Sequence, residues 1–498
     1  MLTLLSKTDY ILYRECPKNV WYKIHRPDLY SESDLSEFEK TIIETGNEIE
    51  LIARKLFPTG ILIGGRGIES QKLTQSYIDK KQEVLFQPIF IQDGLLAAID
   101  ILKYNPEDNS YSVYEVKSTN NVDPKVHFYD LAFQVSLLKK YGLNITQTCI
   151  IHLNSEYIRS GELNISELLK IVNATKEVRE LLAVIEEETA EAIKYLSQDD
   201  EPNGSCCCIY KGRSRHCSTF KHSNPHVPEY GVHDITRIGN SKAKLQELID
   251  GNIFDLNKIP EHIKLSEIQK NQVEAYVLNK AFIDKEKIEE ELDKLVFPLY
   301  FLDYETFPCA IPRFNGFSPY QQIPFQYSLH VLKSPNEKPE QHEFLHTGTN
   351  DPSASFTESL IKDIGKTGSI IVWHKDFECG RNEEIAERIP EAKPFMDALK
   401  ERIYDLEEIF KKQYHVHKDF QGGTSIKRVL PVLVPELTYK ELEIREGGTA
   451  ADTWNKLVNG HYFGETKERT ISNLKVYCGL DTYAMYAIWH KLNQLSGA

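Results

Sequence analysis

The period of the apolar positions changes several times along the chain, and each change predicts an element. In TIIETGNEIELIARKLF (41–57), Ile42, Ile49, Ile52, Ala53 and Leu56 recur at helical spacing, giving a helix with one apolar face. VLFQPIFI (84–91), LLAAIDILKY (95–104) and YSVYEVKS (111–118) are short apolar runs that predict three strands, the last two separated by the turn-forming NPEDNS. YDLAFQVSLLKKYG (129–142) predicts a helix and TQTCIIHLN (146–154) a further strand, a βββαβ order that suits a mixed α/β core. Residues 162–198 have the pattern of one or two long charged helices. Residues 229–296 look all-helical, broken at Gly239, Gly251 and Pro260. LVFPLYFLDYET (295–306) then opens a second α/β region, with SIIVWHKDF (369–377) as its clearest second strand. The expected organisation is an N-terminal α/β domain over 1–225, a helical segment over 226–294 and a C-terminal α/β domain over 295–498.

Polar residues inside the apolar runs carry the candidate chemistry. On a strand, residues two apart share a face, so Glu115 and Lys117 project together, and the preceding strand is expected to bring Asp100 beside them. Two carboxylates can hold a hard divalent cation that polarises a phosphate and activates water, and a lysine can stabilise the developing charge. An exposed hairpin face carries the same three residue types with no such role. What distinguishes this hairpin is Asp100, which interrupts an otherwise apolar run where an unpaired carboxylate is costly. Downstream, Asp130 and Gln134 stand four apart on one helix face.

Asp100, Glu115-x-Lys117 and the Gln134 helix resemble the PD-(D/E)xK nuclease core in its RecB-like form. The resemblance implies a restriction-endonuclease-like fold, a divalent ion (Mg²⁺ or Mn²⁺) on Asp100 and Glu115, and support from Gln134. In that group an upstream helical His or Glu can be a further ligand; GNEIE (46–50) stands there, and Glu50, with Glu48 as rival, takes that place.

The cysteines add a second centre. There are nine in 498 residues, too few for a disulfide scaffold, yet Cys206, Cys207, Cys208 and Cys217 fall in one short stretch. Cys16, in ECPKNVW, can join them from the other end of the domain. Four thiolates suit zinc or an iron–sulfur cluster. One early and three late cysteines resemble the iron–sulfur RecB-family nucleases associated with CRISPR adaptation, which implies a [4Fe–4S] cluster on Cys16, Cys206, Cys208 and Cys217. Three consecutive cysteines leave a choice among Cys206, Cys207 and Cys208, and the compressed spacing keeps zinc open as the alternative.

In the C-terminal region, Asp303 and Glu305 end an apolar strand on one side, Asp376 and Glu378 end another, and Tyr477 and Asp481 share a helix face. Four carboxylates from three distant segments are what a two-metal phosphoryl-transfer site needs. Together they resemble the DEDD exonuclease superfamily in its Tyr-x3-Asp form, which implies an RNase H-like fold with a tyrosine orienting the attacking water. HKDFE departs from that family's second motif and puts Glu378 in the Asp place, with Asp376 as its rival. IYDLEEIF adds Asp405, where related enzymes have a structural acidic residue, and SIKRVLP offers Lys427 and Arg428 for phosphate contact. TRIGNSKAKLQELIDGNI, in the middle segment, is similar to a helix–hairpin–helix backbone binder. The whole chain resembles a bacterial family joining an iron–sulfur RecB-like module to such an exonuclease-like domain.

Composition narrows the setting. A hydrophobic content of 41% is that of a globular protein, and no apolar run is long enough to span a bilayer. MLTLLSKTDYILYRECPKN carries charges through its middle, so it is no signal-peptide core, and a cytoplasmic protein without a membrane partner is expected. A net charge of −15 argues against non-specific coating of nucleic acid and confines phosphate contact to local segments such as KGRSRH (211–216) and SIKR (425–428). The expected function is a metal-dependent nuclease acting on DNA ends or single strands, in repair or defence, with 3′–5′ exonuclease action in the C-terminal domain. The alternatives are a nucleic-acid-binding adaptor with inactive sites and a zinc-stabilised interaction protein; protein partners are not legible.

Overall fold

The computed structural model describes residues 4–30, 37–65 and 67–497; the side chains of 37–42, Ile42 of the predicted stripe among them, lie outside the described set. The fold is mixed α/β. It divides into two compact units, Met1–Val227 with Ala310–Gln321, and Pro228–Cys309 with Gln322–Ala498. Among the described residues no helix is long and apolar enough to cross a membrane.

In the first unit, β1 (Leu5–Ser6), α1 (Lys7–Glu15) and α2 (Pro17–His25) precede α3 (Glu37–Arg54), β2 (Ile61–Leu62) and α4 (Ile68–Asp79). The strands β3 (Val84–Phe86), β4 (Ile89–Gln92), β5 (Leu95–Ala98), β6 (Ile101–Asn105) and β7 (Ser110–Lys117) follow. Then come α5 (His127–Lys140), β8 (Ile145–Leu153), α6 (Ile165–Leu168), β9 (Leu169–Asn173), α7 (Thr175–Leu196) and α8 (Phe220–Ser223). The sheet order is β2-β3-β6-β7-β8-β9, with a separate three-stranded sheet β1-β5-β4.

Two expectations are corrected here. The runs 84–91 and 95–104 are each two strands, because both bend at the same level. Gln87 adopts a φ of 52° and Pro88 has no N–H for a ladder; opposite them, Ile99 N bonds Pro88 O at 3.0 Å and Gln87 N bonds Asp100 O at 3.2 Å. Asp100 therefore sits at a strand break and not on a strand. Within 162–198, LKIVN forms β9, an edge strand antiparallel to β8, between a one-turn helix and α7.

Central β7 lies antiparallel to β6 and parallel to β8, and both sheet faces are covered. Val113 and Ile150 pack with Leu131 and Phe133 of α5 on one face. Tyr114 and Ile151 pack with Ile49 and Ile52 of α3 on the other. Double burial explains why these strands read as near-continuous apolar runs, and it places Glu115, two residues from Val113, on the α5 face. Residues 310–321 complete the second of these cores: Ala310, Ile311 and Tyr320 pack with it, and Arg159 Nη1 donates to the carbonyls of Pro312 and Arg313 at 2.8 Å each.

The second unit begins with α9 (Lys242–Asp250), α10 (Glu267–Val277), β10 (Phe282–Ile283) and α11 (Lys285–Leu292). β11 (Leu299–Pro308), β12 (Gln322–Leu332), β13 (Glu340–Leu345), α12 (Ser353–Asp363), β14 (Ser369–Val372), α13 (Lys375–Arg388), α14 (Lys393–Arg402) and β15 (Ile403–Asp405) follow. The remainder is α15 (Glu408–Lys411), β16 (His415–Val416), α16 (Ile426–Leu433), α17 (Gly447–Val458) and α18 (Gly464–Ser496). The five-stranded sheet has the order β13-β12-β11-β14-β15. The stretch 229–296 is not all-helical, since β10 pairs with β16. The strand expected over 369–377 ends at Val372. The parallel pairs β11–β14 and β14–β15 need crossover connections, and α13 begins the second of them. Tyr300, Leu302 and Tyr304 of β11 pack on one face with Phe356, Ile385 and Met396. Phe301 meets Tyr486 and Trp489 of α18 on the other, so Asp303 and Glu305 point to the α18 side.

Gly368, with φ 95°, leads into β14, and a Cβ there would stand 2.1 Å from Pro298 O. Gly368→Ala is expected to lower stability by at least about 2 kcal/mol, from strain plus a backbone clash. Urea unfolding checks this, and an unchanged midpoint contradicts it.

Candidate functional site

Glu115 projects from β7 toward α5 and is 1% exposed. Its Oε1 accepts from Lys117 Nζ at 2.8 Å and Lys7 Nζ at 2.7 Å, and its Oε2 from Gln134 Nε2 at 2.7 Å. Lys117 also pairs with Asp130, and Gln134 Nε2 reaches Asp130 Oδ1 at 3.2 Å. At the strand break, Asp100 Oδ2 accepts the Val116 N–H at 2.8 Å and Oδ1 accepts Gln87 Nε2 at 3.1 Å. The same Gln87 nitrogen reaches Glu50 Oε1 at 2.6 Å, which also pairs with Arg54. Glu48, the rival on this helix, is exposed. The five residues read from the sequence, Glu50, Asp100, Glu115, Lys117 and Gln134, thus fall in one connected network.

Lys7 and Gln87 belong to that network and escaped the sequence reading. Lys7 comes from 108 positions away, delivered by the parallel pairing of Leu5 with Leu95. Burial and the neighbouring Glu115 charge push the Asp100 carboxyl up to about 7. Burial acts in the same direction on Glu115, but Lys117 and Lys7 overcome it and hold that carboxyl well below the usual range. A cavity of about 500 Å³, bordered by Lys7, Gly65, Gly67, Gln87 and Asp100, opens beside the group.

Cys16 caps the start of α2, a position that favours a thiolate. The sulfurs of Cys16, Cys206, Cys208 and Cys217 lie within 4.8 Å of one another. Cys16 and Cys217 are 3.7 Å apart, Cys206 and Cys217 3.9 Å. Buried Asn224 donates to Cys206 Sγ at 3.3 Å. Hydrogen bonds among the sulfurs, Cys16's foremost, pull Cys206 down to about 6 and Cys208 below the thiol range, and the same network pushes Cys16 and Cys217 up. Cys207 is exposed and turns to the Glu15 carbonyl. Four thiolates about 2.3 Å from one zinc at tetrahedral corners stand roughly 3.8 Å apart. A four-iron cluster puts one iron beneath each sulfur and spreads them farther.

In the second unit, Asp303 and Glu305 of β11 meet α18, and the ligand atoms of Asp303, Glu305 and Cys478 lie within 4.8 Å of one another. Cys478, whose sulfur is 3.9 Å from Asp303 Oδ2, was not singled out from sequence. Asp481 and Glu378 fall outside that tight trio yet act on it: burial, then Asp481, Glu305 and Glu378, push Asp303 well above the carboxylate range. Burial likewise raises Glu305 to about 8, Glu378 to about 8 and Asp481 to about 6. Asp376 and Glu378 lie in the first turn of α13, not on a strand, and the helix separates them: Asp376 is exposed, Glu378 is 1% exposed. Glu378 Oε2 is buried with no hydrogen-bond partner. Asp405 fixes the start of that helix by accepting the N–H groups of His374 and Lys375 at 3.1 and 3.2 Å.

Two phenols reach Asp481. Tyr477, one turn before it on α18, feels its charge, and Tyr439, another residue the sequence reading missed, donates to Oδ1 at 2.6 Å. Lys427 Nζ lies 5.6 and 5.7 Å from the centres of the Tyr439 and Tyr477 rings and opposes the rise of Glu305 and Asp481. With Arg428 and His417 it borders a cavity of about 500 Å³.

A family model described as a domain of unknown function (DUF2779) matches residues 300–425. The matched stretch holds Asp303, Glu305, Glu378 and Asp405 and ends before Tyr477 and Asp481. No curated protein matches the chain.

A carboxyl whose folded-state pKa is raised contributes stability that is present below its unfolded pKa and lost as pH rises through the folded value. For Glu305, raised from 4.5 to about 8, the loss falls between those values. In metal-free protein, Glu305→Gln is expected to stabilise the second unit at pH 8 by on the order of 1–2 kcal/mol and to leave pH 4 stability nearly unchanged. Thermal melts across this range check it; a destabilised variant at pH 8 contradicts it.

Proposed function

We propose that the chain is a metal-dependent nuclease, with a RecB-like PD-(D/E)xK centre in the first unit and an RNase H-like DEDD exonuclease centre in the second. The observation that carries the reading is the meeting of Asp303 and Glu305 of β11 with Cys478 of α18, which stands between Tyr477 and Asp481 on that helix, while the charge of buried Glu378 on α13 acts on both β11 acids. Like charges in one low-dielectric site persist when cations compensate them, and Lys427 is a single charge at its edge. A divalent ion, Mg²⁺ or Mn²⁺, would neutralise these carboxylates, polarise a phosphodiester and activate water.

The side chains have separable tasks. Asp303 and Glu305 hold the cation, Asp481 and Glu378 complete its charge balance, and the Tyr477 hydroxyl orients the nucleophile. Lys427 and Arg428 take the substrate phosphates, a local basic contact on a chain whose net charge is −15. In the first unit Lys117 stabilises developing charge while Gln134 orients Glu115. The substrate proposed is DNA with free ends or single strands, cut 3′ to 5′ by the second centre. The cysteine site is structural in this reading, and its sulfur spacing favours one tetrahedral zinc ion over a [4Fe–4S] cluster.

End-labelled single-stranded DNA should be shortened with Mg²⁺ or Mn²⁺ and not with EDTA. Asp303→Ala should abolish shortening, and Tyr477→Phe should slow it about 100-fold with Mn²⁺ binding retained. Lys117→Ala should remove a distinct product. Failure of the unmodified protein to cut DNA or RNA with either ion overturns the proposal.

Metal analysis tests the cysteine site separately. One zinc per chain is expected, and Cys217→Ser should lose it and lower the melting temperature of the first unit, because a ligand bound only by the folded state adds to its stability. Four irons with sulfide per chain overturn the single-ion assignment.

A further inference from the structure

Resting on the reading of the first centre as a metal site, we propose that Lys7 is its resident counter-cation, holding the place of a divalent ion on Glu115 and competing with it. The Lys7 ammonium lies 2.7 Å from Glu115 Oε1 and 3.7 Å from Asp130 Oδ1, and Asp100 also feels its charge. One group therefore contacts both acids that pair with Lys117.

The position is built into the fold. β1 pairs in parallel with β5, five residues ahead of Asp100 in register at Leu95. Ser6 caps α1 by accepting the Asp9 N–H at 3.1 Å, which sets Lys7 as the first helical residue. Two ammonium groups share Glu115 Oε1, so an ion can bind that oxygen only by displacing one of them. Lys117 rises from the central strand and is tied to both Glu115 and Asp130. Lys7 pairs with the same two acids, but it stands at the rim of the 500 Å³ cavity with Ser6, Thr8, Gly65 and Gly67, which Lys117 does not border. Lys7 is the cation with somewhere to go.

Charge counting gives the sign. Asp100, Glu115 and Asp130 carry three carboxyls against two lysines. Removing the Lys7 charge leaves one, and a divalent ion is then bound more tightly.

The test is direct Mn²⁺ binding, by calorimetry or electron paramagnetic resonance, on full-length protein carrying Asp303→Asn and Glu305→Gln to silence the second cluster. Lys7→Met and Lys7→Gln should each bind Mn²⁺ about tenfold more tightly or better, since a unit charge at this range is worth at least that outside bulk water. Lys7→Arg should stay near the parent value. Melting curves identify any variant that fails to fold, and having two neutral replacements keeps the comparison available. Adding Glu115→Gln should remove the Mn²⁺ site in every background. If Glu115→Gln removes binding but neutral Lys7 variants bind no more tightly, the competing role is overturned alone. If Glu115→Gln leaves Mn²⁺ binding intact, the first centre is not a metal site, and the proposal falls with it.

Discussion

The cost of burying carboxylates governs how both units are put together. A buried carboxylate without a partner is expensive, yet each unit folds several acids into its interior. In the first unit the cost is largely met within the chain: Glu115 is enclosed by Lys117, Lys7 and Gln134, and Glu50 by Arg54 and Gln87, while Asp100 stays raised. In the second unit it is not. Asp303, Glu305 and Asp481 face one lysine, two phenols and a thiol, Glu378 feels Arg381, and their protons remain hard to remove.

Elements remote from either centre can be understood as supports for these arrangements. The bend at Gln87–Pro88 swings β4 and β5 out of the main sheet, which frees Asp100 to take the Val116 N–H and brings Gln87 between two acids. In the second unit, Asp405 at the end of β15 holds the first turn of α13, and that turn buries Glu378. Tyr439, from the connection after α16, locks one oxygen of Asp481 and leaves Tyr477 to the Glu305 side, where a Cβ on Gly447 would lie 3.6 Å from Glu305 Oε2 and 4.0 Å from the Tyr477 hydroxyl.

Local periodicity made much of this legible. The two-residue repeat on β7 and β11 correctly put Glu115 with Lys117 and Asp303 with Glu305, and the four-residue repeat on α18 put Tyr477 with Asp481. The clustering of cysteines in sequence pointed to the four sulfurs that meet in space. What periodicity could not supply was the effect of backbone breaks and long-range pairing. Pro88 was visible as a residue but not as a hinge for two arms at once. HKDFE looked like a strand end because Ile370, Ile371 and Val372 dominate its approach, whereas the parallel β14–β15 pair demands a helix there. Lys7, Cys478 and Tyr439 carry no motif of their own; they become neighbours of the acids only through the pairing of β1 with β5, the packing of α18 on β11 and the path after α16.

Residues 310–321 bear on where such a chain can be divided. This segment leaves β11 just past Glu305, completes the apolar core of the first unit around Ala310, Ile311 and Tyr320, and returns as β12. Neither unit is therefore an uninterrupted stretch of polypeptide. A break after Val227 would leave the first unit with an unfilled slot in its core and the second with a stranded apolar loop. A single cut between the units therefore cannot release either one whole.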